Sequence, residues 1–152
     1  TVGTSVNIKN PKRAEKIIPN YIIFARPTTP IRKTIIFDKA IKKFRSLKNY
    51  DSLVSVHEMN EPIHKKFFIK NNKLKPVFRN MSLDQANNPR QKFKRSYTGN
   101  GYLDLIRTKN IFLKKNYLGK NCYPFLTQSS IDIDDYLDFE IAKFLINKGI
   151  NV

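Results

Sequence analysis

Residues 129–140 read Ser-Ser-Ile-Asp-Ile-Asp-Asp-Tyr-Leu-Asp-Phe-Glu, and within them Asp132 and Asp134 stand two apart. In an extended strand alternate side chains share a face, so the two carboxylates point one way and Ile131 and Ile133 the other. Paired carboxylates in a basic chain suit a hard cation, most simply Mg²⁺. That ion takes one or two carboxylates and completes its shell with water and substrate phosphates. The same residues have an ordinary structural use. Asp134 or Asp135 can cap a helix, and acids suit its first turn. Spacing alone leaves both readings open.

Other residues could hold an anion. In Arg26-Pro-Thr-Thr-Pro-Ile-Arg32 two prolines set the loop's shape between two arginines, whose guanidinium forks match phosphate or carboxylate. Solvated loop arginines are the plainer alternative. Arg90 follows Pro89 in a polar loop and is open to the same two readings. Asn100, between Gly99 and Gly101, suits a turn that needs left-handed backbone. Tyr102 and Asp104 fall on one strand face, Leu103 and Leu105 on the inner one. His57 and His64 are the only histidines, with no Cys or third His at zinc spacing. Cys122, in an apolar strand, reads as a buried structural thiol. There is no nucleophile elbow, P-loop or dinucleotide fingerprint.

The elements that must position these groups follow from periodicity. Asn10-Pro11 opens a short helix that ends before Pro19. Tyr21 to Ala25 is a nearly continuous apolar run, as in a strand buried on both faces. Ile36, Phe37, Ala40, Ile41 and Phe44 stripe a helix over about 34–47. Leu53 to Val56 is a strand. Lys66 to Lys70 and Leu74 to Phe78 form a hairpin about Asn71-Asn72. Residues 79–98 are irregular, Gly99 to Gly101 is a turn, and Tyr102 to Ile106 is a strand. Thr108 caps a short helix, and Cys122 to Thr127 is the last strand. Leu137, Ile141, Phe144 and Leu145 then mark a helix that Gly149 stops. The alternation predicts one α/β domain over 1–152, with a mostly parallel sheet and a hairpin excursion. Ligands of open α/β sheets sit beyond the carboxyl ends of the strands. The loop 26–32, the turn at Asn100 and the Asp132/Asp134 pair all follow strands, so they are expected to share one crevice.

The chain of 152 residues is 40% hydrophobic with eleven Phe and seven Tyr, enough for a core. No apolar run approaches a membrane span and no signal peptide is evident, so a cytoplasmic setting is expected. The single cysteine excludes an internal disulfide. A net charge of +17 implies an anionic partner, yet the lysines are spread along the chain, and heavy Lys, Asn and Ile usage fits compositional drift.

The stretches 26–32, Asp51-Ser-Leu-Val-Ser-Val-His-Glu58, Asn88-Pro-Arg-Gln91, Asn100-Gly101 and Ser130-Ile-Asp-Ile-Asp134 resemble, in that order and spacing, the acylneuraminate cytidylyltransferases, or CMP-sialic acid synthetases. The resemblance covers about Asn20 to Leu145. It implies a Rossmann-like nucleotidyltransferase fold, in which the 2-hydroxyl of a nine-carbon acidic sugar attacks the α-phosphate of CTP and expels pyrophosphate. It implies that Asp132 and Asp134 bind Mg²⁺, that Arg90 serves the sugar end and that Asn100 contacts the sugar. A sugar-side lysine falls at His64 or Lys65. The excursion, roughly 57–95, corresponds to the family's dimerisation hairpin, so a homodimer is expected, with Arg90 acting across its interface. Many members carry Gln where Arg26 stands and Tyr where Asp104 stands, both toward the sugar; this leaves sialic, legionaminic and pseudaminic acids open. The family's opening strand, with a loop whose Arg and Lys hold the CTP triphosphate, has no counterpart before Tyr21. The sequence therefore reads as the C-terminal two-thirds of a synthetase, with most CTP affinity expected to be missing. The rivals are a nucleic-acid-binding domain without enzymatic activity, resting on the charge, and a nucleotidyltransferase for another sugar acid.

Overall fold

A computed structural model describes residues 19–114 and 116–150. The helix expected from Asn10 lies outside them. Four strands form one sheet in the order β1-β5-β2-β6: β1 (Tyr21–Phe24), β2 (Ser52–Glu58), β5 (Tyr97–Arg107) and β6 (Cys122–Leu126). A separate hairpin joins β3 (Phe67–Lys70) to β4 (Lys73–Pro76). The helices are α1 (Thr34–Ser46), α2 (Leu83–Ala86), α3 (Thr108–Lys114) and α4 (Tyr136–Asn147). The sheet is mixed. β5 runs antiparallel to both β1 and β2, while β2 and β6 pair in parallel, so β1, β2 and β6 share one direction. This α/β arrangement is compatible with a Rossmann-like fold.

The stripe on α1 fulfils its period. Ala40 and Phe44 are buried against Leu53 of β2 and Tyr102, Leu103 and Leu105 of β5, with Ile36, Phe37 and Ile41 packed around them. Removing that apolar area from water is the main stabilising term, roughly 25 cal/mol per Å². Tyr102 is in the core together with Leu103 and Leu105, so β5 is covered on both faces. That burden was expected of β1, but β1 is an edge strand; Ile22, Ile23 and Phe24 remain 37–46% exposed. Apolar content alone cannot tell a central strand from an edge strand.

Three further expectations change. Gly99 to Gly101 is not a connecting turn but lies inside β5. Between the pairs Val54↔Asp104 and Val56↔Gly99, β2 advances two residues while β5 advances five, so β5 bulges outward there. Ser55 Oγ pins the bulge by accepting the Leu103 N–H at 3.0 Å. The Asp132 region is not a strand: β6 ends at Leu126 and residues 127–134 are irregular. Cys122 is exposed, not buried.

The hairpin turns at Asn71 (φ 52°) and Asn72 (φ 57°), the left-handed pair of a two-residue turn. Phe68 and Ile69 stay exposed at 62% and 79%. α4 starts at Asp135, whose carboxylate accepts the Asp138 N–H at 2.9 Å. It ends where the Gly149 and Ile150 N–H groups return to the Ile146 and Leu145 carbonyls. Of its apolar residues Ala142 is buried, whereas Leu137, Ile141 and Phe144 face solvent.

Candidate functional site

The C-terminal ends of β1 and β6 lie on one edge of the sheet, and the bulge of β5 rises beside them. Three segments meet there: residues 25–33 after β1, Asn100-Gly101 in the bulge, and residues 127–135 after β6. Strand direction decides this meeting, because parallel strands deliver their outgoing loops to the same edge.

The segments are laced by specific bonds. Arg32 Nε donates to the Tyr102 carbonyl at 2.8 Å and Nη2 to that of Gly101 at 3.2 Å; Nη2 also donates to the Arg26 carbonyl. Arg32 thus clamps the first loop onto the bulge, with Nη1 left over among the described residues. Burial pulls its guanidinium down from the ordinary value, against the opposing influence of Tyr102 and the Asp132 carboxylate. Asn100, itself buried, donates from Nδ2 to Thr127 Oγ1 at 2.6 Å and to the Gln128 carbonyl at 3.0 Å. Ser130 Oγ donates to the Asn100 carbonyl at 2.6 Å. Asn100 therefore clasps the bulge to the third segment. The Ile133 N–H donates to the Thr28 carbonyl at 2.8 Å, which docks the third segment onto the first.

Gly101 is required where these segments touch. Its φ is +67°, and a Cβ there would lie 2.8 Å from Thr29 Oγ1 and 3.1 Å from Arg26 Cδ. Thr29, fully buried, donates its hydroxyl to Asp132 Oδ1 across 3.4 Å, a long contact. Asp132 is half-buried, and Asp134 is exposed. The Asp134 N–H donates to Asp138 Oδ2 at 3.1 Å, but its carboxylate has no partner among the described residues. The mouth thus holds two carboxylates with open lone pairs, and the exposed Arg26 guanidinium carries no ion pair among the described residues.

Asp104 sits behind Arg26 on β5, 7% exposed. Burial pushes its carboxyl upward from the ordinary value, and Arg26 pulls it back. The nearby Tyr117 phenol is pushed up by burial and then by Asp104. An acid raised in the folded state holds its proton more tightly there than in the unfolded chain. It therefore costs stability as pH rises from the unfolded pKa through the folded one. Asp104→Asn removes that cost. Urea unfolding from about pH 4 to about pH 7 is expected to show the variant gaining on the parent as pH rises, then levelling off. A difference that is flat, or shrinks with pH, would contradict this account.

His64, Lys65 and Arg90 lie in the excursion. His64 stacks between Phe78 and Phe93, with centroid distances of 4.6 and 5.2 Å. Lys65 Nζ donates to the Asn88 carbonyl at 2.9 Å, and Arg90 Nη1 to that of Asn60 at 3.0 Å. No hydrogen bond or ring contact among the described residues joins these three to the mouth. Conversely, Thr29, Thr127 and Ser130 belong to the mouth although the sequence did not single them out. Thr29 had a signal, its place between the prolines of the Arg26 to Arg32 loop, and Ser130 had one in the motif it opens, Ser130-Ile-Asp-Ile-Asp134; Thr127 had none.

Among the described residues no three His, Cys, Asp or Glu side chains gather as a metal cage. Two all-oxygen carboxylates are nonetheless a donor set that fits Mg²⁺, which readily keeps waters and takes phosphate oxygens for the rest. No helix among the described residues is long and apolar enough to cross a membrane.

No protein-family model matches the chain. Over 139 residues it is 27% identical to the N-acylneuraminate cytidylyltransferase of Escherichia coli O18:K1:H7 (strain RS218 / NMEC). The alignment takes in 86% of this chain and 31% of that protein, so the chain spans under a third of that relative's length. The similarity supports a distant relationship between this chain and the cytidylyltransferase family that the relative represents.

Proposed function

We propose that this chain is part of a cytidylyltransferase that activates a nonulosonic, sialic-type acid with CTP, giving the CMP-sugar and pyrophosphate. The observation that carries the reading is the Asp132 carboxylate, open at the sheet edge where the three segments converge. The distant relative adds to it. In the proposed reaction the acceptor's 2-hydroxyl oxygen forms a bond to the α-phosphorus of CTP. The bond from that phosphorus to the bridging oxygen breaks, pyrophosphate leaves with the electron pair, and the hydroxyl proton passes to solvent or a base.

Asp132 and Asp134 would hold Mg²⁺, which when bound neutralises charge growing on the phosphates. Thr29 and the Ile133–Thr28 bond orient Asp132. Arg32 and Asn100, whose donors are largely spent on the protein, keep the mouth's walls in register, so that little reorganisation is left for the reaction itself. Arg26 remains free to meet an anion, and Asp104 behind it limits the positive charge that the acceptor meets. The exposed hairpin face of Phe67, Ile69 and Leu74 suits a homodimer. In such a dimer His64, Lys65 and Arg90 would serve the partner's mouth, since in their own chain they stand apart from it. The free edge of β1 would take the family's opening strand, whose loop supplies the cations for the triphosphate. A cytoplasmic setting accompanies this reading, because CTP is an intracellular substrate.

The test joins the chain to a segment supplying that strand and loop, then follows pyrophosphate release from CTP with sialic, legionaminic and pseudaminic acids in turn. Release is expected with one of them, dependent on Mg²⁺. No release with any nonulosonic acid, or release indifferent to Mg²⁺, would remove the assignment.

A further inference from the structure

At the opposite end of the sheet from the mouth, where β1 begins and β5 ends, lies a cleft of about 640 Å³. Its floor is aromatic, with Tyr21 set edge-on to the buried Phe44 at 5.9 Å. Among the described residues, four cations line it, Arg45, Lys48, Arg107 and Lys109, and no acid does. We propose that this cleft is a second anion site that binds phosphate groups, independent of the nucleotidyl-transfer mouth.

The four cations are not equivalent. Arg107 is fixed: Nε donates to the Tyr50 carbonyl at 2.9 Å, Nη2 donates to that of Leu47, and its guanidinium lies 4.9 Å over the Phe44 ring. It gives the cleft a rigid positive wall, with Nη1 left over among the described residues. Arg45, Lys48 and Lys109 are exposed and form no ion pair among the described residues. Asp51, at the start of β2, spends Oδ2 on the Lys120 and Asn121 N–H groups. Like charges brought together in a concave wall repel one another unless an anion joins them, and a concave wall focuses their field. The charge density and the cleft's size favour phosphates over a single carboxylate. Those phosphates could belong to a nucleic acid strand or to a free polyphosphate.

The experiment compares two triple variants of equal net charge. One is Arg45→Ala/Lys48→Ala/Lys109→Ala in the cleft. The other is Lys75→Ala/Lys94→Ala/Lys120→Ala at exposed positions outside it. Arg107 is left intact because it packs against the core, and thermal unfolding confirms that each variant folds. Fluorescence polarisation follows a labelled single-stranded oligonucleotide at several salt concentrations, and calorimetry follows tripolyphosphate. The cleft variant is expected to lose about tenfold or more in affinity and about two units of salt slope, since each strand phosphate contact contributes about 0.7. The other variant is expected to change little. Loss of oligonucleotide binding alone identifies a strand as the source, and loss of tripolyphosphate binding alone identifies a free phosphate. Equal losses in both variants, or no binding of either probe by the parent, would overturn the proposal by reducing the charge to a diffuse field.

Discussion

Asp132→Asn is expected to lower kcat for Mg²⁺-dependent pyrophosphate release by about a hundred- to a thousand-fold, the usual cost of removing one group that stabilises transition-state charge. The substitution keeps shape and an acceptor oxygen for Thr29, so the chain should fold as before. What it removes is the negative charge that would hold the metal at the sheet edge. The loss should therefore fall mainly on kcat and on the Mg²⁺ concentration needed, and less on KM for CTP. Asp134→Asn should act in the same direction but less strongly. Asp134 is exposed and starts from a better solvated carboxylate, whereas Asp132 is half-buried beside a backbone bond that fixes its segment. Undiminished turnover in both variants would leave the pair with no part in the reaction. Reduced turnover accompanied by an equal fall in thermal stability would show that packing had been damaged instead.

Gly119→Ala should be the most destabilising glycine-to-alanine change among the described residues. Gly119 has φ +75°, and an added Cβ would lie 2.3 Å from Asp51 Cβ and 2.6 Å from its Cγ and Oδ2. Neither side can move cheaply. Asp51 is held through Oδ2 by the Lys120 and Asn121 N–H groups at 3.0 and 3.3 Å, and its own N–H donates to the Asn121 carbonyl at 2.8 Å. These contacts bring the segment before β6 alongside the start of β2, where the parallel pairing of the two strands begins. Overpacking costs typically 1–3 kcal/mol, and left-handed backbone at a residue with a side chain about 1–2 kcal/mol more. A loss of about 2–5 kcal/mol corresponds to roughly 5–20 °C in melting temperature for a chain of this size. Circular dichroism melts of parent and variant measure it directly. A shift below about 1 °C would mean that the segment before β6 gives way freely, and the parallel pair would then need another anchor.

Periodicity and turn chemistry made much of the fold legible. The 3.6-residue stripe placed α1, the Asn71-Asn72 pair placed the hairpin, and the shift from alternation to helical spacing after Asp134 placed α4. Those signals are local, because each arises from steric preferences among residues a few positions apart. The meeting of the first loop and the segment after β6 was also expected, since both follow strands; the bulge reaches the same place from the antiparallel β5, which local pattern did not disclose. What the chain did not disclose locally was which partner each strand finds. Tyr21 to Phe24 is as apolar as a central strand, yet it became an edge. Gly99 to Gly101 has the composition of a turn, yet it became a bulge because β2 continues past it as a partner.

By itself the sequence determined most of the element types, the basic balance and the presence of two carboxylates next to a helix start, all properties of short windows or of composition. Only the tertiary structure decided which of the polar candidates are spent and which are free. Arg32 and Asn100 give most of their donors to carbonyls and a hydroxyl from distant segments, Asp104 is sunk behind Arg26, and Asp132 and Asp134 keep open lone pairs. The reason is that hydrogen-bond satisfaction and desolvation depend on neighbours remote in the chain, and a residue's type and spacing carry no record of them.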